Sequence, residues 1–319
     1  MSGPQFLENF LQALTAGLLT GAIYGLLCVG LSIIFGVMRV INFAHGDFMM
    51  LGMYAAYYAF GLIGLQALFG AAIAPYVAAL LAGPLVFLAG VIVHKFLVSK
   101  VTGMRGSTLA AEGHYAQLIL TLGVALILQN GGLYVFGSSP VSIPTPLASN
   151  AWELGPLYGD AITIFVNQGQ TIAAVIAIIV VIAFVLFMGR SGQGKSLRAA
   201  ADNPEAATYM GIDVGKAHQL AFGLGVAITA IGGGLLASGT SFQPYVGLEY
   251  VIVMYAGVVL GGLGSVAGAF FGGLTIGLVQ QLSTLVLPNQ LQNTAIFVVF
   301  LAVILWRPNG LFGAAARRT

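Results

Sequence analysis

Charge is what this chain most lacks. Asp, Glu, Lys and Arg together make up 6% of its 319 residues, against roughly 25% in a soluble globular domain. Two stretches, Phe48–His94 and Tyr250–Trp306, contain no charged side chain at all. A water-soluble fold needs solvating charge along stretches of that length. A bilayer does not: its ~30 Å hydrocarbon core is crossed by ~20 apolar residues in a helix. Cysteine is nearly absent too. Cys28 stands alone, which excludes an internal disulfide and a cysteine metal cluster, and it reads as a small buried apolar residue. The N-terminus carries no basic region of the kind that opens a cleaved signal peptide. No segment between the apolar runs is long enough for a soluble catalytic domain.

What is present is hydrophobic sequence, 59% of the chain, and 45 glycines. No hydrophobic force drives helix against helix in lipid, so small residues supply close packing there. The expected fold class is all-α: a polytopic transmembrane helical bundle of about nine spans (eight to ten), one transmembrane domain over 1–319. The spans read 12–37, 46–62, 73–94, 115–136, 170–188, 217–238, 250–263, 266–287 and 291–306. The span 250–263 is short before Gly261-Gly262-Leu263-Gly264-Ser265. It reads also as a half-helix that re-enters, which is allowed where protein or a wet cavity covers the backbone.

Charge sets the orientation. With the N-terminus outside, the inner segments hold Arg39, Lys95, Lys100, Arg105, Arg190, Lys195, Arg198, Lys216, Arg307, Arg317 and Arg318, which are all 11 basic residues. The outer segments hold Glu8, Glu153, Asp160 and Glu249. Lys and Arg concentrate on cytoplasmic flanks, so the expectation is N-terminus out, C-terminus in. The longest connections are an outer loop, 137–169, and a cytoplasmic loop, 189–216. The outer one, with Pro140, Pro144, Pro146, Pro156, Trp152 and Tyr158, reads as an ordered cap with interfacial aromatics.

The inner loop contains a phosphate-loop look-alike, Gly189-Arg190-Ser191-Gly192-Gln193-Gly194-Lys195-Ser196. That mechanism needs a buried strand ahead of the loop and a sheet around it. Here an apolar span precedes it, so the run reads as a basic flank. Asp202-Asn203-Pro204-Glu205-Ala206-Ala207 to Gly211 predicts a short helix. Asp202 or Asn203 caps it, Pro204 suits its first turn, Glu205 complements its dipole and Gly211 stops it. Two turns are not stable alone in water, so this helix lies on its own protein or docks on a cytoplasmic partner.

Polar residues inside the spans are candidates for interhelical bonds or for a transport path or gate: Tyr24, Gln129, Asn130, Gln280 and Gln281. Asn42, His45 and Asp47 interrupt two apolar helices at the inner side, as helix caps, gate contacts or partner contacts. His45 and Asp47 are two ligands without a third, so no metal is expected. No charged pair stands clearly at membrane depth, which argues against a proton- or sodium-coupled carrier.

Several of these runs occur together. Glu205-Ala206-Ala207 precedes Gly211 as E-A-A-x-x-x-G. Tyr24-Gly25-Leu26 is followed by Phe35-Gly36-Val37-Met38-Arg39-Val40-Ile41-Asn42-Phe43-Ala44-His45-Gly46-Asp47. Arg198-Ala199-Ala200 leads to Gly211-Ile212, Gly261-Gly262-Leu263-Gly264-Ser265 to Gly268-Ala269, and the chain closes on Arg307-Pro308-Asn309-Gly310-Leu311-Phe312. Over roughly 10–313 the sequence resembles the LivH-type permease subunits of high-affinity branched-chain amino-acid importers, an ATP-binding-cassette family of bacterial inner membranes. The resemblance implies that the 202–212 helix is a coupling helix seated in an ATPase groove, with Ala206 and Ala207 permitting close approach. It implies a second, related permease subunit (LivM-like), two cytoplasmic ATPases (LivG-like and LivF-like) that bind ATP and Mg in place of any cofactor here, and an external solute-binding protein docking on 137–169 and 240–249. Lipid surrounds such a subunit; nothing points to nucleic acid or to an enzyme. Urea, short-amide and aromatic-acid importers resemble the chain as well, and a passive channel or facilitator is a reading from another class.

Overall fold

The computed structural model describes residues 3–62, 64–102, 110–157, 162–288, 291–307 and 310–311. Arg105, Tyr158, Asp160, Pro308, Asn309, Phe312, Arg317 and Arg318, used above, lie outside the described residues.

In chain order the helices are α1 (Gly3–Met38), α2 (His45–Leu62), α3 (Leu65–Val93, continued by a π turn to Val98), α4 (Ser99–Thr102), α5 (Ala110–Phe136) and α6 (Pro146–Ser149). Two strands follow, β1 (Ala151–Leu157) and β2 (Ile162–Asn167), and then α7 (Gln168–Arg190), α8 (Gly192–Asp202), α9 (Pro204–Tyr209), α10 (Val214–Ala237), α11 (Val246–Gly261), α12 (Val266–Ser283) and α13 (Gln292–Trp306). Every span read from the sequence falls on a helix. Six helical stretches among the described residues are long and apolar enough to cross a bilayer; α11 and α13 are shorter apolar helices. At 1.5 Å per residue the 16 residues of α11 reach about 24 Å, short of the ~30 Å core.

The sequence predicted helices only, and the 137–169 segment departs from that. β1 and β2 pair antiparallel, Ala151 opposite Asn167 and Glu153 opposite Phe165. The run Ile162-Thr-Ile-Phe-Val is β-branched and aromatic, which favours a strand over a helix. The hairpin is tied to α1: Gln12 Nε2 donates to Phe165 O (2.6 Å) and Phe165 N–H donates to Gln12 Oε1 (2.9 Å). Two ends of the bundle can thus be named, a hairpin end and a basic end that carries α8 and α9.

The core centres on α1 and α10. α1 packs on α12, α10, α7 and α11, and α10 on α3, α1 and α2. Glycines make these contacts backbone to backbone. A methyl group on Gly273 would lie 2.5 Å from Gly25 N, and one on Gly277 would overlap Gly21. The loop Gly262-Leu263-Gly264-Ser265 turns through two left-handed glycines, with φ of 97° and 86°, a region open to glycine without penalty. Gly310 folds against Gly262, and Leu311 N–H donates to Leu260 O (2.6 Å). Leu311 therefore satisfies a carbonyl at the end of α11 that would otherwise lack a partner.

Candidate functional site

At the hairpin end, α1, α7, α11 and α12 leave a cavity of about 220 Å3. Tyr24, Gln280 and Gln281, three of the path candidates, line it together with Tyr250 and Gln170. Tyr24 shares the cavity wall with Gln280 and Tyr250, and the two tyrosine rings meet edge to face with centroids 6.0 Å apart. The N-cap of α7, Asn167, also reaches the cavity wall; its Oδ1 accepts from Gln170 N–H (2.9 Å). Among the described residues, no charged side chain lines this cavity. Amides and hydroxyls suit a small solute of no net charge, since a net charge desolvated there would lack a counter-charge. Sequence reading missed Tyr250, Gln170 and Gln292, which also lines the wall. All three stand at the first residues of apolar spans, whereas Gln280 was singled out because it lies inside one.

A second cavity, about 530 Å3, lies at the basic end between α1, α7, α8 and the 263–266 turn. α1 joins the two. Ile23 and Tyr24 line the first cavity, Ser32 and Ile33 the second, about 12 Å apart over eight residues. The α1 residues between them, among them Leu26, Leu27, Cys28 and Leu31, are buried. Phe270 seals against Gly25 and Gly257 against Cys28.

Asn42, His45 and Asp47 line neither cavity. The sequence placed them at the inner face; the structure moves them inward. Arg39 has a positive φ (53°) just after α1, and the irregular run 40–44, which ends in a turn, buries Val40, Asn42 and Ala44. α2 thus begins deep within the bundle. The Thr229 hydroxyl lies 3.1 Å from Gly225 O and shares a hydrogen bond with His45 Nε2 (2.7 Å). Thr229 stands 15 positions after Val214, which opens α10, about 22 Å along it. Asp47 Oδ1 accepts from Gln129 Nε2 of α5 (3.0 Å). Asn42 Oδ1 accepts from Ala44 N–H (3.1 Å) and forms an Asx turn ahead of α2. Hydropathy could not reveal a strap that folds back between two apolar helices. Asn130, the remaining path candidate, is exposed and donates to Leu126 O (2.8 Å) in its own helix.

The basic loop is built from caps. Ser191 Oγ accepts from Gly194 N–H (2.9 Å) and starts α8, whose Leu197 and Ala200 are buried. α8 lies against α7, α10 and α1. Asp202 ends α8, and Asn203 is the cap of α9, accepting from Ala206 N–H (3.0 Å). Pro204 and Glu205 occupy the first turn. The helix stops at Gly211 (φ 81°), with Ile212 N–H donating back to Ala207 O (2.9 Å). Asp213 then caps α10; its hydrogen bond from the Lys216 backbone N–H, with the Lys216 ammonium 3.1 Å away, holds its carboxyl below the usual range.

The two alanines expected to permit close approach differ. Ala207 is buried against its own chain, whereas Glu205 and Ala206 are exposed. The large apolar groups presented to solvent are Tyr209 (87% exposed) and Met210 (82%). Sequence reading passed over both because neither belongs to the E-A-A pattern.

Residues 13–306 match the family described as branched-chain amino acid transport system, permease component. The chain is 28% identical over 308 residues to the high-affinity branched-chain amino acid transport system permease protein BraD of Pseudomonas aeruginosa, covering 96% of each. It is 27% identical over 310 residues to the permease protein LivH of Escherichia coli K12, covering 97% of each. A more partial likeness, 31% over 192 residues and 56% of this chain, is to the autoinducer 2 import system permease protein LsrD of Photorhabdus temperata. No solved structure matches.

Proposed function

The chain belongs to the family of branched-chain amino acid transport system permease components, and from that premise we propose that it moves branched-chain or other small apolar amino acids inward as the membrane subunit of an ATP-binding-cassette importer. It performs no covalent chemistry; ATP and Mg belong to partner ATPases. The hairpin end faces outside, where a solute-binding protein delivers substrate over 137–169 and 240–249. The basic end faces the cytoplasm, in keeping with the concentration of Lys and Arg there. A second, related permease subunit completes the pore in the bacterial inner membrane.

The mechanism follows from the two cavities. Substrate enters the one beside Tyr24, Tyr250 and Gln280. Passage requires the α1 contacts between the cavities to part, which is a rigid-body change of packed helices rather than a local one. The force enters through α9, and α8 transmits it, being packed on α1, α7 and α10 at once.

The observation that carries this reading is α9 itself. It is a capped two-turn helix that offers an exposed tyrosine and methionine to solvent at the basic end. A self-contained channel has no use for such a projection. In the reconstituted complex with its solute-binding protein, Tyr209→Ser with Met210→Ser should cut substrate-stimulated ATPase activity and uptake by about tenfold or more, the scale of an interface hot spot. Leu305→Ser on α13, a residue 81% exposed, should leave coupling in place. Wild-type coupling in the Tyr209/Met210 variant would sink the docking assignment and favour a channel. Ala207→Trp is the poorer test, because it overpacks the subunit's own interior.

A further inference from the structure

At the hairpin end, residues 141–149 form an arch between the end of α10 and the start of α7. At one foot, Val141 N–H donates to Phe242 O (3.0 Å) and Phe242 N–H to Val141 O (2.8 Å). Ile143 N–H donates to Ala237 O (3.0 Å), the last residue of α10. At the other foot, Asn167 Nδ2 donates to Ala148 O (2.7 Å). Asn167 is already the N-cap of α7 through its Oδ1, so one amide both starts that helix and holds the arch. Gly169 lets Ala148 come close: a methyl group there would lie 3.2 Å from Ala148 Cα.

The arch has a cavity on each flank. The first, about 360 Å3, lies between Ser142, Thr145 and Ser149 of the arch and Ser241 beyond α10. Ala148, Ser238, Gly239 and Thr240 line both it and the cavity beside Tyr24, so the two meet at a throat walled by small residues. The second, about 540 Å3, lies between Ser142 and Pro144 of the arch and Tyr57, Tyr58 and Phe60 of α2. Within the arch Ile143 and Thr145 are buried, whereas Ser142, Pro144, Pro146 and Ser149 are exposed. Segments with few buried contacts open at low cost. Pro144 and Pro146 fix φ along the arch, which makes it a stiff piece that swings whole, with room beside α2 to receive it. We infer that 141–149 is a lid on the cavity beside Tyr24, with Asn167 as its latch and Ala148, Gly239 and Thr240 as the throat it closes. The lid deepens the reading of that cavity as the point of substrate entry, and rests on that reading for what passes beneath it.

Thr20 lines the cavity beneath the lid from α1 and serves as the reporter. In the detergent-solubilised full-length protein carrying Cys28→Ser and Thr20→Cys, the rate of labelling by 2-(trimethylammonium)ethyl methanethiosulfonate is measured. Asn167→Asp keeps the cap of α7, because aspartate caps equally well, but replaces the donor to Ala148 O with an acceptor. It should speed labelling about tenfold, the scale of one hydrogen bond lost from the closed state, and Gly239→Phe should reverse that gain. Gly239 is exposed, and a methyl group placed on it meets only Leu236 O, 4.0 Å away, so the ring fills the throat without displacing backbone. Equal rates in the Asn167→Asp protein and its parent would overturn the lid. Faster labelling in Asn167→Ala but not in Asn167→Asp would overturn it too, since Asn167 would then act as a cap and nothing more. A gain that survives Gly239→Phe would put the entrance elsewhere and overturn the throat. Labelling as expected, with leucine uptake by the reconstituted Gly239→Phe complex unchanged, would uphold the lid and remove the cavity beside Tyr24 from the transport route.

Discussion

The helices α10 and α5 look alike in sequence and live in opposite surroundings. Their spanning stretches have mean hydropathies of 2.0 and 1.8, yet the first is 83% buried within the fold and the second 28%. In a soluble protein hydropathy separates inside from outside. In a membrane both environments are apolar, so the separation rests on residue size. α10 carries Gly225, Gly233 and Gly234 against the backbones of α1, α2 and α3 respectively, whereas nothing lies within 4 Å of a methyl group placed on Gly123 or Gly131 of α5. Steric reach, and not apolar character, marks the central helix.

The strongest way to break that comparison is Gly233→Leu. A Cβ there would sit 2.6 Å from Met49 O, a backbone atom that cannot rotate away. Overpacking of this kind costs typically ~1–3 kcal/mol, and a fixed neighbour puts Gly233→Leu at the upper end. Folded yield by fluorescence-detected gel filtration should collapse. Gly123→Leu should fold like wild type, within about 0.5 kcal/mol. If both variants fold equally well, glycine contact is not what holds α10 at the centre.

A second test concerns the bond that ties α5 to the interior. Gln129→Leu leaves the buried Asp47 carboxyl without the amide 3.0 Å away, at a cost of about 1–3 kcal/mol. It should lower the midpoint of thermal unfolding. The double variant with Asp47→Leu should regain part of the loss, because an apolar pair leaves nothing unsatisfied. Independent, additive losses would mean that the two side chains do not interact in the membrane.

The same contrast explains how much could be read in advance. Long apolar runs announced the helices, because a bilayer imposes length. The punctuation Asn203-Pro204-Glu205 to Gly211 announced α9, because capping is local chemistry. Tyr24, Gln280 and Gln281 came together in one cavity because polar groups on apolar helices turn inward. The depth of His45 and Asp47 was illegible. It depends on the strap 40–44 running back into the bundle, and no periodicity encodes that. The burial of Ala207 and exposure of Tyr209 were hidden for a related reason: in a two-turn helix the packed face is chosen by α8 and α10 and not by the helix itself. The β1–β2 hairpin was legible in Ile162–Val166 and was passed over in favour of a loop.

At the exposed end of the scale, Asn203→Ala removes the side chain that caps α9. A lost cap costs about 1 kcal/mol. Since α9 makes few contacts of its own, the effect should appear as fraying of 204–209 and not as global unfolding. Hydrogen exchange of the Ala206 and Ala207 amides should quicken while the amides of α10 stay protected. Coupled uptake should fall modestly, and Asn203→Asp should restore both, since aspartate caps equally well.

The smallest effect belongs to Lys195, the lysine of the phosphate-loop look-alike. Gly189 and Arg190 are the last residues of α7, Ser191 is a one-residue break, and α8 begins at Gly192. No strand precedes the run, and no row of free amides faces a phosphate: Gly194 N–H is bonded to Ser191 Oγ and Lys195 N–H to Ser191 O. The Gly194 position packs against Phe187 and Met188 of α7, which leaves no cradle. Lys195 itself is exposed. Lys195→Ala should therefore leave nucleotide affinity and ATP hydrolysis of the assembled complex within about twofold of wild type, the scatter of a neutral surface change of about 0.5 kcal/mol. Binding of a fluorescent ATP analogue to the purified subunit alone, lost on this substitution, would contradict the assignment and make the loop a nucleotide site after all.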